Sequence, residues 1–339
     1  MATQLKPARP VRGKSARSGP AGGFVLGIHL GVTKVVCGLV AADGTVVRQS
    51  GRFLHPDNGP GAVVRTIARS ARTCLAGTND RPTRVGVGVA AQVDPRTGTV
   101  VHAPNLGWRD LPLARRVEEE LGVPVVVVND ARAGAIAEWK HGAGVGATNF
   151  FYLALGTGVG GAAVVDGHLL EGGSHAVGEV GHFPIVVGGR RCHCPNWGCL
   201  EAYVGGWAIA ERAREAARAD PRGGDLLVER AGSLDAISAE TVFQGYRAGD
   251  PLSGRLVRET ERFLADGAVN VVNAFNPSVL ILGGWLVSEL PVFQAVIESA
   301  VRARCQPPAA GVHVVLAQLG GNAVLVGAAE VARERRRPR

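Results

Sequence analysis

Residues 149–170 read NFFYLALGTGVGGAAVVDGHLL. An apolar run, a glycine-rich turn and two more apolar runs split at Asp166-Gly167 read as three consecutive strands. Residues 24–54, FVLGIHLGVTKVVCGLVAADGTVVRQSGRFL, share the same plan, with turn signals at Gly31 and at Asp43-Gly44. The two meanders also lead into similar segments. After the first, apolar positions at helical spacing (Val63, Val64, Ile67, Ala71, Leu75) predict a helix over 60–77. Then come a buried strand in RVGVGVAAQV, a helix over 111–121, the strand PVVVVND and a helix over 131–141. After the second, helices are expected over 202–219, 238–248 and 251–274, then a strand in PSVLILGG, a helix over 291–304, a strand in VHVVLA and a last helix over 322–336. Two halves that open alike and then alternate helix and strand predict a duplicated α/β unit with a cleft between.

The chain has 339 residues, 46% hydrophobic and 19% charged. That suffices for about two domains and a large core. It excludes a wholly disordered chain and a small stapled secreted module. The net charge of +8 suggests nucleic acid, but its placement argues otherwise. Residues 1–22 carry +5 and residues 333–339 carry +4, which leaves the body at −1. Basic ends of this kind read as solvated tails, 1–22 as a disordered one, with no specific nucleic-acid partner. The uncharged stretch 267–288 holds Asn270, Asn273, Asn276 and Pro277, so no membrane span is expected. The basic start lacks the apolar core of a secretory signal. Six cysteines, three of them within eight residues, point to a metal site in a reducing, cytoplasmic setting.

Four motifs carry chemistry. In Cys192-His193-Cys194-Pro195-Asn196-Trp197-Gly198-Cys199, three thiols can converge on one ion, and zinc takes four N or S ligands. His182 and His193 are the candidates for the fourth. His193 lies between two ligating cysteines, so His182 is preferred, and four protein ligands would make the zinc structural. Free buried thiols or a redox pair is the competing reading. In Gly178-Glu179-Val180-Gly181-His182 the glutamate could be merely solvated. Its link to the cysteine cluster and to Glu201 instead suggests preorganised carboxylates facing vicinal hydroxyls. Asn129-Asp130 ends a buried strand, where α/β folds bind ligands. Asp130 there can be a general base, or simply a helix N-cap. Gly156-Thr157-Gly158-Val159-Gly160-Gly161 can offer backbone N–H groups to phosphate. Its last two glycines are adjacent and a strand comes after it, not a helix, which demotes a dinucleotide-binding reading.

Taken in order from Leu26 to Gly284, these motifs resemble the ROK family of sugar kinases, its glucokinase-like members in particular. The resemblance implies an α/β actin-like ATPase fold, a duplicated ribonuclease H-like unit in two domains with a central cleft. By it, residues 23–130 with 322–336 form one domain and 131–321, with the zinc loop, the other. It implies ATP, Mg²⁺ and structural Zn²⁺ as cofactors and a sugar as substrate. Asp130 would take the proton of the sugar hydroxyl, typically the 6-OH. Asn105, Asn129, Glu179, His182, Glu201 and Ala91 would bind the sugar, and His182, Cys192, Cys194 and Cys199 the zinc. Thr33, Lys34, Gly156, Thr157, Gly158 and Gly160 would meet the phosphates, and Gly283 and Gly284 the adenosine. The family also implies a dimer or tetramer, and its repressors carry a winged helix that 22 residues cannot hold.

The sequence departs from the family pattern on the nucleotide side. The first phosphate turn usually reads DxGGT, and here His29 replaces the Asp and Val32 the second Gly. Imidazole is a poor magnesium ligand, and valine disfavours the positive φ open to glycine. Trp285 stands for a third glycine beside the adenosine, where its indole could stack on adenine or fill the site. Ala90-Ala91 replaces a usual Pro-Gly at the sugar, and Pro195 a common Gly in the zinc loop. These features leave two expectations. One is a kinase acting on a hexose such as glucose, a related amino sugar or a cyclitol. The other is a weak or inactive paralogue that binds sugar as a sensor or partner protein.

Overall fold

The computed structural model describes residues 23–54 and 59–334. The tail expected over 1–22 and the end of the helix expected to reach 336 lie outside them. The first half runs β1 (Val25–Leu30), β2 (Lys34–Val40), β3 (Val46–Phe53), α1 (Pro60–Leu75), β4 (Val85–Val89), β5 (Gln92–Asp94), β6 (Thr99–Ala103), β7 (Trp108–Leu111), α2 (Leu113–Leu121), β8 (Val125–Asn129) and α3 (Asp130–His141). The second runs β9 (Phe150–Leu155), β10 (Val159–Val165), β11 (His168–Leu169), α4 (Glu201–Val204), α5 (Gly206–Ala219), α6 (Pro221–Ala231), α7 (Ala239–Arg247), α8 (Pro251–Phe275), β12 (Val279–Gly283), α9 (Trp285–Glu289), α10 (Val292–Arg304), β13 (His313–Leu316) and α11 (Ala323–Glu334).

The duplication is visible in strand order. One sheet is β3-β2-β1-β4-β8 and the other β11-β10-β9-β12-β13. In each, a three-stranded antiparallel meander is extended by two parallel strands. The helix leaving each sheet then packs on the other half. α3 comes after β8 yet lies against β9 and β10, while α11 comes after β13 yet lies against β1 and β4. The two helices pack on each other between the sheets.

Glycines set how tightly these layers stack. Gly38, Gly27 and Gly86 are paired neighbours across β2, β1 and β4, which makes a trough in the sheet. A Cβ on Gly27 would overlap the Leu325 carbonyl of α11, and one on Gly86 the Ala328 carbonyl. Small residues let helix and sheet backbones approach, and a methyl forced between them is an overpacking error. Gly86→Ala is expected to destabilise by about 3 kcal/mol. Thermal unfolding should register this as a loss of several degrees, and an unchanged midpoint would show that α11 does not dock there.

The structure differs from the expectations at several points, among them short α9 after β12. RVGVGVAAQV is two strands, broken at Ala90-Ala91, where the Ala91 N–H turns back to the Val89 carbonyl. Its second piece belongs to a small β5-β6-β7 sheet that the sequence does not announce. The helix expected over 202–219 is interrupted at Gly205, whose ψ of 147° is extended. Residues 221–231 form α6, started by the Asp220 side chain accepting from the Gly223 N–H at 3.0 Å. Gly224 there lies against Ala217 of α5 and serves close packing, not a break.

Candidate functional site

The elements that end at the cleft bring the four motifs together. Asn129 closes β8, and its side chain caps α3 by accepting from the Arg132 N–H at 3.0 Å. Its amide also donates to the Ala91 carbonyl at 3.3 Å. The cap is thus Asn129, not Asp130. Asp130 is the first helical residue, and its carboxylate accepts from the neighbouring Ala131 N–H at 2.9 Å. Relieved of capping, Asp130 keeps lone pairs for a substrate hydroxyl. Burial raises its pKa above the usual carboxylate value, and the facing His29 opposes that rise. His29 pairs with Gly88 at the end of β1, so both point to the α3–α11 side. Burial lowers the His29 pKa against the pull of Asp130, with Lys34 adding to the decrease.

The glycines of the GExGH loop have a steric reason. A Cβ on Gly178 would overlap the Gly161 carbonyl, and one on Gly181 the Val159 carbonyl. Gly178 also has φ of 104°, which disfavours a side chain. The loop therefore lies directly on β10, the strand that leaves GTGVGG. Glu179 is half-buried, and its pKa is raised, first by burial and then by the charges of Asp130 and Glu201 against the relief from His182. Three carboxylates share this site.

Glu201 is buried, and it ties the site together. Its Oε2 accepts from the Val159 N–H at 2.8 Å and its Oε1 from the Trp207 indole at 3.2 Å. The carboxylate also lies against Gly158. Glu201 thus braces the glycine-rich turn from below, closed above by the Gly156 N–H donating to the Gly158 carbonyl at 3.0 Å. Two of its lone pairs are occupied, and those that remain are what a hydroxyl could use.

His182, Cys192, Cys194 and Cys199 gather with all four ligand atoms within 4.8 Å of one another. Cys192 Sγ lies 3.7 Å from His182 Nδ1, and the Cys194 and Cys199 sulfurs are 3.7 Å apart. Zn–S bonds of about 2.3 Å place tetrahedral neighbours about 3.8 Å apart, so the residues fit zinc. Burial raises the Cys192 thiol and pushes Cys199 up to about 11. Neither is the low-pKa exposed thiolate of a redox pair. His193 turns away and stacks on Trp207 with centroids 3.8 Å apart. His182 Nε2 faces Glu179 at 3.9 Å. The cluster is thereby joined to the carboxylate beside it.

The remaining expected residues fall on four further segments of the chain. Thr33 and Lys34 are exposed at the β1–β2 turn, as is Val32. Asn105 is exposed on the short turn Pro104–Leu106. Ala91 is buried with its carbonyl held by Asn129. Gly283 sits over the Tyr152 hydroxyl, and Gly284, at φ 95°, against the Leu155 carbonyl. Trp285 lies beside Gly156 and Gly206 and tilts against Phe243 at 5.9 Å. Its indole therefore borders the glycine-rich turn at the start of α5.

Two buried polar residues of α3 escape motif reading. Arg132 reaches the His175 carbonyl and the Glu171 carboxylate, both at 3.4 Å, holding the loop that leads into Glu179. Glu138 is fully buried near the far end of the helix. The available signal is their place in DARAGAIAEWKH, a charged pair in a helix of small residues.

Paired sheets of matching order, crossed helices and a polar cleft between them define the actin-like ATPase fold. The match to the ROK family model over residues 25–335 adds the family, and the chain belongs to it. Glucokinase of Streptomyces coelicolor is 34% identical over 318 residues, 92% of this chain and 98% of that protein. A ROK family glucokinase from Streptomyces griseus, solved in complex with glucose and AMPPNP, superposes with a TM-score of 0.83 at 34% identity, covering 92% of this chain and all of that one. A xylose repressor of Bacillus spizizenii is 26% identical over 91% of this chain and 77% of its own length. Among the described residues no helix is long and apolar enough to cross a membrane.

Proposed function

We propose that the protein transfers the terminal phosphoryl group of ATP to a hydroxyl of a hexose, with glucose the first candidate and the 6-OH the acceptor. The observation that carries this is the uncapped Asp130 carboxylate, freed by Asn129 and set among Glu179, Glu201 and His29. Asp130 accepts the hydroxyl proton as the oxygen attacks the γ-phosphorus, and the bond to the ADP oxygen breaks. Such transfer depends mainly on positioning and charge stabilisation. Glu179, Asn105 and the free side of Glu201 orient the sugar. The amides of Thr157 and Gly158, in a turn closed by the Gly156 N–H, receive the phosphates with Thr33 and Lys34, and the edge formed by Gly283, Gly284 and Trp285 receives the adenosine.

Zinc held by His182, Cys192, Cys194 and Cys199 would supply no chemistry beyond rigidity, since four protein ligands leave no open position. Imidazole at position 29 does not fit magnesium. Mg²⁺ is accordingly assigned to the phosphates of its ATP complex, and no step runs through a protein-held magnesium. A cytoplasmic homo-oligomer, dimer or tetramer, goes with this reading.

His29 and Trp285 favour a second reading, a weak or inactive paralogue that binds sugar as a sensor or partner protein, which the likeness to repressors supports. Calorimetric sugar binding and ADP release, measured side by side over a panel of hexoses with Mg–ATP, separate the two. The kinase reading expects sugar-dependent ADP release. Binding without release on every sugar would leave only the sensor.

A further inference from the structure

The chain passes between its two sheets twice, through residues 142–149 after α3 and through 317–322 before α11. Both passages are held by one side chain. Glu138 Oε2 accepts from the Ala143 N–H at 2.8 Å in the first passage and from the Gln318 N–H at 3.0 Å in the second. Its Oε1 accepts from the Leu319 N–H at 2.8 Å. Its backbone carbonyl takes the Gly142 and Gly144 N–H groups, at 3.0 and 2.9 Å. The carboxylate is wholly buried, so water does not compete for these bonds, and each is charge-assisted. Gly142 leaves room for it, because a Cβ there would overlap Oε2.

We propose that Glu138 is the hinge pin of the molecule. By fixing both interdomain passages to α3, it sets how the two halves close over their substrates, and so is a positioning residue for phosphoryl transfer. Asp130 and Glu138 stand on the same twelve-residue helix. A rotation about the pinned end therefore moves the first turn of that helix, and with it the base, against the other half. The pivot is tight, because Gly327 of α11 lies on the Ala133 carbonyl with no room for a side chain. The kinetic consequence rests on the kinase reading above, whereas the pinning itself does not.

Glu138→Gln tests both. It keeps the shape but leaves one acceptor oxygen and sets an NH₂ group against N–H donors. Amide hydrogen exchange should speed at least tenfold in 142–149 and 317–322 together, with the zinc loop unchanged. With hexose and ATP, kcat should fall at least tenfold and the sugar KM move less than threefold, since the contacts to sugar remain. Glu138→Asp should recover part of kcat. If Glu138→Gln does not fold, Gly142→Ala wedges a methyl into the carboxylate seat and should loosen the same two segments. Faster exchange in 142–149 alone, or in neither, would overturn the hinge pin, as would loosening of both with kcat unchanged. If the wild-type protein turns over no sugar, the kinase reading falls, and exchange in the two segments decides the hinge alone.

Discussion

Asp130→Asn should lower kcat by roughly 10²- to 10⁴-fold, the usual contribution of a general base, while sugar binding changes little. The reason is local. The Asp130 carboxylate accepts from the Ala131 N–H, and an asparagine oxygen can keep that bond. The helix cap is made by Asn129 and is untouched. The substitution therefore keeps the local geometry while removing proton acceptance and the charge that acts on His29 and Glu179. The pH profile of the wild type gives a second reading of the same group. Burial raises the Asp130 pKa, and the base works only when ionised. The acidic limb of kcat/KM should lie above the ordinary aspartate value of about 3.9. The rate should rise with pH through that limb and then level, and Asp130→Asn should lose the limb. A substituted protein with full turnover, or a profile flat into strong acid, would remove Asp130 from the chemistry.

Removal of the metal should be nearly as damaging, though through structure. Cys192→Ser, or exhaustive chelation, should abolish one bound zinc per chain and lower the unfolding midpoint by about 10 °C or more, since structural zinc contributes folding free energy outright. Sugar affinity should fall at least tenfold. The path is short: His182 sits between the thiols and Glu179, and α4, which carries Glu201, begins two residues after Cys199. Elemental analysis of the purified protein, thermal unfolding and sugar titration together check this. Zinc-free native protein with full sugar affinity would contradict it.

Much of this architecture is written in local patterns. The two meanders are legible because Gly31, Asp43-Gly44, Gly156–Gly158 and Asp166-Gly167 punctuate runs of strand-forming residues. The cysteine cluster is legible because ligand spacing is local, and His182 is found by its nearness in the chain. What escapes is decided by neighbours distant in sequence. Ala90-Ala91 carries no turn signal, so the small sheet stays hidden in an apolar run. Residues 221–231 carry no expected element, and the helix there is fixed by the Asp220 cap and by the close contact of Gly224 with Ala217 of α5. The choice between cap and base at Asn129-Asp130 cannot be made from spacing, because both side chains can cap. Which of the two caps the helix shows only where the Asn129 oxygen meets the Arg132 N–H. The double role of Glu201, and the grip of Glu138 on residues 180 positions away, exist only in three dimensions.

We propose that this cleft, with His29 facing Asp130, moves phosphate onto a sugar. The most direct test is the product. Wild-type protein incubated with glucose and Mg–ATP should yield glucose 6-phosphate, identified by phosphorus–proton correlation in the NMR spectrum, together with one ADP per sugar phosphate. Asp130→Asn should yield almost none. ADP without sugar phosphate, or sugar phosphate formed equally by the Asp130→Asn protein, would contradict phosphoryl transfer with Asp130 as the base.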